Sequence, residues 1–149
     1  MPPSETLWRP RPLPAPATPF LGRERELAEI AERLADSDCR LLTLLGPGGI
    51  GKTRLAAAAV WALFPADQPA QDFPDGVIWH SFYHQPQAAL ALEAFARACG
   101  VDPRPSPPDA ARLALANRRA LLILDWAEAA DALPAVLAVA GTCGVLITT

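Results

Sequence analysis

The chain has 149 residues, 51% of them apolar and 19% charged, enough to build the core of one domain and too apolar for a disordered chain. A net charge of −3 and a pI near 5.3 give no basic stripe, so this segment is not expected to bind nucleic acid directly. Cys39, Cys99 and Cys143 are odd in number and scattered, which excludes a disulfide framework and suits reduced thiols in the cytoplasm. The first residues form no apolar signal segment, and the apolar run Leu55 to Phe64 is about half a membrane span. The expectation is a soluble, cytoplasmic protein with no membrane partner.

Residues 1–19 carry prolines at 2, 3, 10, 12, 14, 16 and 19, and read as an extended proline-rich tail or linker. From residue 20 to 149 the texture is that of a folded domain. Leu27, Ile30, Ala31 and Leu34 recur at helical spacing, with Glu29 and Arg33 paired on the wet side. Arg40 to Leu45 reads as a buried strand, Gly46 to Gly51 as a glycine-rich turn, and Lys52 to Phe64 as an alanine-rich helix. Val77 to Trp79 predicts a second strand, with Trp79 in the core, and Ala88 to Cys99 a helix that Gly100 stops. After a proline-rich break at 103–108, Asp109 to Asn117 predicts a helix with Asp109 as its cap. Leu121 to Leu124 is a third strand, Glu128 to Ala140 a helix, and Gly144 to Ile147 a fourth strand. Apolar strands alternating with helices predict an α/β fold in three layers around a mainly parallel sheet. Because the sequence stops on Ile147-Thr148-Thr149, the domain is expected to be partial at its carboxyl end.

The chemistry concentrates in Gly46-Pro47-Gly48-Gly49-Ile50-Gly51-Lys52-Thr53, which fits the P-loop pattern G-x-x-x-x-G-K-[ST] between a predicted strand and a predicted helix. Glycines allow the backbone to curl so that successive N–H groups face a phosphate, and the helix dipole adds positive potential there. Lys52 is expected on the β- and γ-phosphates and the Thr53 hydroxyl on Mg²⁺. Lys52 is also the single lysine among thirteen basic residues, a compact ammonium kept where an arginine fork would fit differently. The ligands expected are therefore ATP or ADP with Mg²⁺.

Asp125 ends the third strand, where ligands bind in open α/β sheets, and is expected to help hold Mg²⁺; the alternative is a cap on the following helix. Trp126 stands directly after it, where a water-polarising carboxylate would be useful. Glu128 is the remaining candidate for that catalytic role, or an ordinary first-turn glutamate.

Taken together, Phe20 to Leu27, Leu44 to Ala56, Leu122 to Asp125 and Val145 to Thr149 resemble the NB-ARC-like module of the STAND signalling ATPases, the type found in bacterial transcriptional regulators. The resemblance implies a P-loop NTPase fold and a nucleotide switch with slow or no hydrolysis. It also implies base contacts from Leu21 and Arg23, a phosphate loop extended through Arg54, and protein partners or self-association through domains beyond this segment. Two other readings remain open: a nucleotide-binding scaffold without turnover, and a small-molecule kinase. The kinase would need a lid of arginines, which Arg104, Arg112, Arg118 and Arg119 do not recognisably form.

Overall fold

A computed structural model describes residues 23–36, 38–46, 51–63 and 72–149. Helix α1 (Glu24–Ala35) buries Ile30 and Leu34, with Leu27 packed beside them, as the spacing predicts. Glu24 and Glu26 sit in its first turn, where the helix dipole favours negative charge. Glu29 and Arg33 lie 3.5 Å apart but are mostly exposed, so the pair adds little stability.

Strand β1 (Leu41–Leu44) leads to helix α2 (Lys52–Leu63), which buries Leu55, Ala56, Ala57, Ala59 and Val60. The alanines present methyl groups where longer side chains would hold the helix off the sheet. Strand β2 (Val77–Ser81), helices α3 (Ala88–Ala98) and α4 (Pro107–Leu115), strand β3 (Leu121–Asp125), helix α5 (Leu133–Leu137) and strand β4 (Gly144–Thr148) follow.

The four strands are parallel and lie in the order β1-β4-β3-β2. Side chains alternate across the sheet with period two. Val77, Trp79, Leu121, Ile123 and Leu146 face α1 and α2, while Ile78, Leu122, Leu124, Val145 and Ile147 face α3, α4 and α5. The second layer closes around Phe82 and Phe95, both fully buried, each contributing about 1.5–3 kcal/mol through removal from water. This is the three-layer α/β arrangement expected, with Trp79 in the core.

Three local expectations are corrected. The strand at 41–44 is not buried: among the described residues β1 pairs with β4 alone, at the end of the sheet, its exposure alternates, and Leu41 is 50% exposed. Asp109 does not cap α4. Pro107 and Pro108 take the first helical positions, where a missing N–H costs nothing, and the Ser106 side chain accepts from the Asp109 N–H.

The stretch from Glu128 to Ala140 is not one helix. A 3₁₀ turn (Ala127–Ala129) gives way to extended backbone at Ala130 before α5 starts at Leu133. Asp131 is drawn out to accept the Ala88 N–H at 2.8 Å, at the start of α3, and Pro134 favours a fresh helix start. No helix among the described residues is long and apolar enough to cross a membrane.

Candidate functional site

With all strands parallel, their carboxyl ends share one edge of the sheet. Gly46, Ser81, Asp125 and Thr149 all lie there, at or just beyond the last residues of β1, β2, β3 and β4. Of the loop joining β1 to α2, residues 47–50 fall outside the described residues; Gly46 and Gly51 bracket them. Gly51 has φ +84°, a conformation that glycine adopts without strain, and its carbonyl accepts the Leu55 N–H at 2.8 Å as α2 begins. Lys52 and Thr53 are thereby the first two residues of a twelve-residue helix whose amino end faces the sheet edge.

The alternation along the strands explains what meets there. Leu121, Ile123 and Asp125 point to the α2 side of β3, and Leu146 and Thr148 to the same side of β4. Asp125 is 3% exposed, and its Oδ1 accepts two hydroxyls: Thr53 Oγ1 at 2.8 Å and Thr148 Oγ1 at 2.6 Å. Thr148 Oγ1 in turn accepts the backbone N–H of Trp126 at 3.0 Å. Asp125 is therefore no cap for the turn that follows it; the hydroxyl of Thr148 takes the Trp126 N–H instead. The ammonium of Lys52 donates to the main-chain oxygens of Gly46 and Thr149, bridging the ends of β1 and β4.

Arg23 shares with Lys52 the lining of a groove of about 400 Å³ between α1, β1 and α2, to which Ile30, Leu44 and Leu55 give an apolar floor. Arg54 is exposed on α2, and Glu128 is exposed on the 3₁₀ turn that follows Asp125. Leu21, Pro47, Gly48, Gly49 and Ile50 lie outside the described residues. The fold thus brings Gly46, Gly51, Lys52, Thr53 and Asp125 to one place, with Arg23 along the adjoining groove.

Three features were missed by sequence reasoning. Thr148 joins the cluster as a partner of Asp125; the shared parity of Leu146 and Thr148 on an inner strand was the available signal. Trp126 adopts the left-handed conformation (φ 56°, ψ 46°), uncommon for a bulky residue. Its ring packs on Tyr83 at 4.9 Å, and Tyr83 meets His84 edge-on at 4.5 Å, an exposed aromatic row beside the cluster. His80 is buried with Nε2 unpartnered among the described residues, and burial lowers its pKa while a backbone bond with Gln85 opposes the shift. No sequence signal marked either the strain or the orphaned nitrogen.

An ammonium, two oxygen donors and a helix amino end are the equipment for holding an anion with a hard cation. Among the described residues no group of three or more His, Cys, Asp or Glu side chains forms a self-contained metal site. A cation here would take most of its ligands from the anion and water, as magnesium does. The thiols of Cys99 and Cys143 offer no rival chemistry. Burial pushes Cys99 up to about 11 and raises Cys143 as well, keeping both protonated.

No family model matches the chain. The chain is similar to the regulatory protein AfsR of Streptomyces griseus, 30% identical over 94% of this chain and 15% of that protein. A protein of Mycobacterium tuberculosis named as an HTH-type transcriptional regulator is 34% identical over 60% of this chain and 9% of its own length. An uncharacterised WD repeat-containing protein of Nostoc sp. is 35% identical over 45% of this chain and 5% of its own. The chain therefore spans a small part of each relative; one of these three is named as a transcriptional regulator and another as a regulatory protein.

Proposed function

We propose that residues 20–149 are the ATP/ADP-binding P-loop domain of a STAND-type, NB-ARC-like regulatory ATPase, working as a nucleotide switch with slow or no hydrolysis. The observation that carries this reading is the 2.8 Å hydrogen bond from Thr53, at the start of α2, to Asp125, at the end of β3. The P-loop pattern assigns that hydroxyl to magnesium and P-loop proteins add a strand-end aspartate to it, and both are hard oxygen donors of the kind magnesium takes. Magnesium, when bound, neutralises charge on the phosphate oxygens. With nucleotide bound, Lys52 would give up its two main-chain oxygens for the β- and γ-phosphates, and Gly46, Gly51 and Arg54, with the loop residues 47–50, are the other groups that would hold them. Arg23, which lines a groove with Lys52, is the described residue that would contact the base, with Leu21 before it in sequence. The regulator names of the relatives fit a switch whose output lies in other segments. The acidic charge of this segment fits partners that are proteins, or further copies, rather than nucleic acid.

Slow turnover is favoured because Trp126 occupies the position after Asp125 and Glu128 is exposed. The same two facts support the second reading, a nucleotide-binding scaffold without turnover. A kinase is less well supported, since the arginines that would form its lid are engaged locally: Arg104 with Asp102 at 3.0 Å, Arg112 with Asp109 at 3.2 Å, and Arg118 with the Ala114 carbonyl. The test is titration of labelled ATP and ADP with Mg²⁺ against the wild-type chain and Lys52→Ala. Micromolar or tighter binding, abolished by the substitution, is expected. No binding by folded wild-type protein defeats the reading, and single-turnover measurements separate switch from scaffold.

A further inference from the structure

Thr148 is 2% exposed and sits on β4, between the P-loop strand β1 and the strand β3 that carries Asp125. A threonine hydroxyl has one proton to give and lone pairs to accept with. The Trp126 amide can only donate, so the hydroxyl accepts there and its own proton is committed to Asp125 Oδ1. At 2.6 Å this is the short, charge-assisted kind of hydrogen bond. Thr53 donates to the same oxygen from the opposite element. The carboxylate is therefore held from two sides, and one of the two hydroxyls also holds the residue that follows.

That residue is in a costly conformation. A left-handed turn at a non-glycine residue costs on the order of 1–2 kcal/mol and persists only where the surroundings impose it. At Trp126 the turn sends the backbone N–H to Thr148 and the indole out to Tyr83. The Phe82 N–H, one residue before Tyr83, donates to the Asp125 carbonyl at 2.9 Å, so the aromatic pair is tethered to the same strand end.

We propose that Thr148 is a positioning residue: it orients the Asp125 carboxylate for a magnesium-bound nucleotide and passes the state of that carboxylate to Trp126. The inference rests on the nucleotide-binding reading above. A cation competing for the lone pairs of Asp125 weakens the pull on the Thr148 proton. The hydroxyl then becomes a poorer anchor for the Trp126 N–H, and the left-handed turn loosens. Occupancy at the buried Asp125 carboxylate is thus expressed at an exposed aromatic row, through Thr148 and the backbone of Trp126.

The test uses the whole chain labelled with ¹⁵N-tryptophan, the Trp126 amide signal being assigned by its loss in Trp126→Phe. Three forms are compared: wild type, Thr148→Val, which keeps the shape without the hydroxyl, and Thr148→Ser, which keeps the hydroxyl. Two quantities are read: the exchange rate of the Trp126 amide, and the ratio of ATP affinity with Mg²⁺ to that in chelator. In wild type, Mg²⁺-ATP is expected to speed Trp126 exchange while ATP in chelator does not. In Thr148→Val, exchange rises about tenfold without ligand and the Mg²⁺ ratio falls about tenfold, the loss of one hydrogen bond to a charged group, with affinity in chelator unchanged. Thr148→Ser retains both. An unchanged Mg²⁺ ratio in Thr148→Val, or a Trp126 amide indifferent to Mg²⁺-ATP in wild type, overturns the proposal while leaving nucleotide binding intact. The wild-type measurement decides even if the valine variant does not fold. Absence of nucleotide binding by wild type overturns both together.

Discussion

Thr53 and Asp125 are 72 residues apart in sequence and 2.8 Å apart in space, one at the first turn of a helix and the other at the end of a strand. They meet because β3 is separated from β1 by β4 alone and because Asp125 has the parity of Leu121 and Ile123, the side that α2 covers.

Replacing the carboxylate separates its observed role as a hydrogen-bond acceptor from the proposed one at magnesium. Asp125→Ala strands the buried Thr148 hydroxyl without an acceptor and is expected to cost about 1–3 kcal/mol in urea denaturation. Asp125→Asn keeps an acceptor oxygen and should stay folded, yet lose most of the gain in ATP affinity that Mg²⁺ provides. An Asn variant with wild-type Mg²⁺ dependence in calorimetry removes Asp125 from the metal site.

Arg23 offers a way to weigh the base apart from the phosphates. Arg23→Ala should weaken ATP binding roughly three- to tenfold, the range for one lost polar contact. Binding of inorganic tripolyphosphate should change little. Equal losses for both ligands place the guanidinium on the phosphates and not on the base.

His80 gives the fold a pH dependence whose sign follows from burial. Its folded pKa is lowered below the ordinary value of 6.5, chiefly by loss of hydration. The folded state therefore prefers the neutral ring. The stability it contributes is complete above pH 6.5 and declines as pH drops below that value, by at most about 1.4 kcal/mol per pH unit. His80→Phe should flatten that slope between pH 6.5 and 5, measured as the change in urea midpoint. A slope unchanged by the substitution assigns it to other groups.

Gly144 begins β4 against an aromatic ring. A Cβ added there would lie 2.7 Å from Phe73 Cε1 and 3.0 Å from Cζ. Gly144→Ala is expected to destabilise by about 1–3 kcal/mol, as overpacking does. Combining it with Phe73→Leu should recover part of that loss relative to the sum of the single changes. Strict additivity in a double-mutant cycle means the ring moves aside freely.

The outline of this fold was readable because its signals are local. Leu27 to Leu34 repeats at helical spacing, Leu121 to Leu124 is a bare apolar run, and Gly46 to Thr53 spans eight consecutive positions. Most of what escaped depends on partners distant in sequence. The exposure of Leu41 follows from strand order, which no window of residues contains. The interrupted helix at 128–140 looked continuous because alanine and leucine favour helix. It breaks because Asp131 serves α3, forty-three residues earlier. Ser106 displaced Asp109 as a cap through the two prolines between them. Thr148 was visible as part of a strand but not as a ligand of a carboxylate on the next one.

The bridging ammonium of Lys52 has a practical chemical consequence. Apart from the chain's own amino terminus, it is the sole primary amine that acylating reagents can find. Its contacts with Gly46 and Thr149 leave it half-buried, and phosphate would cover it further. Amine acylation followed by peptide mapping, which separates Lys52 from the amino terminus, therefore reads the state of one defined atom, and its rate is expected to fall as ligand occupies the site.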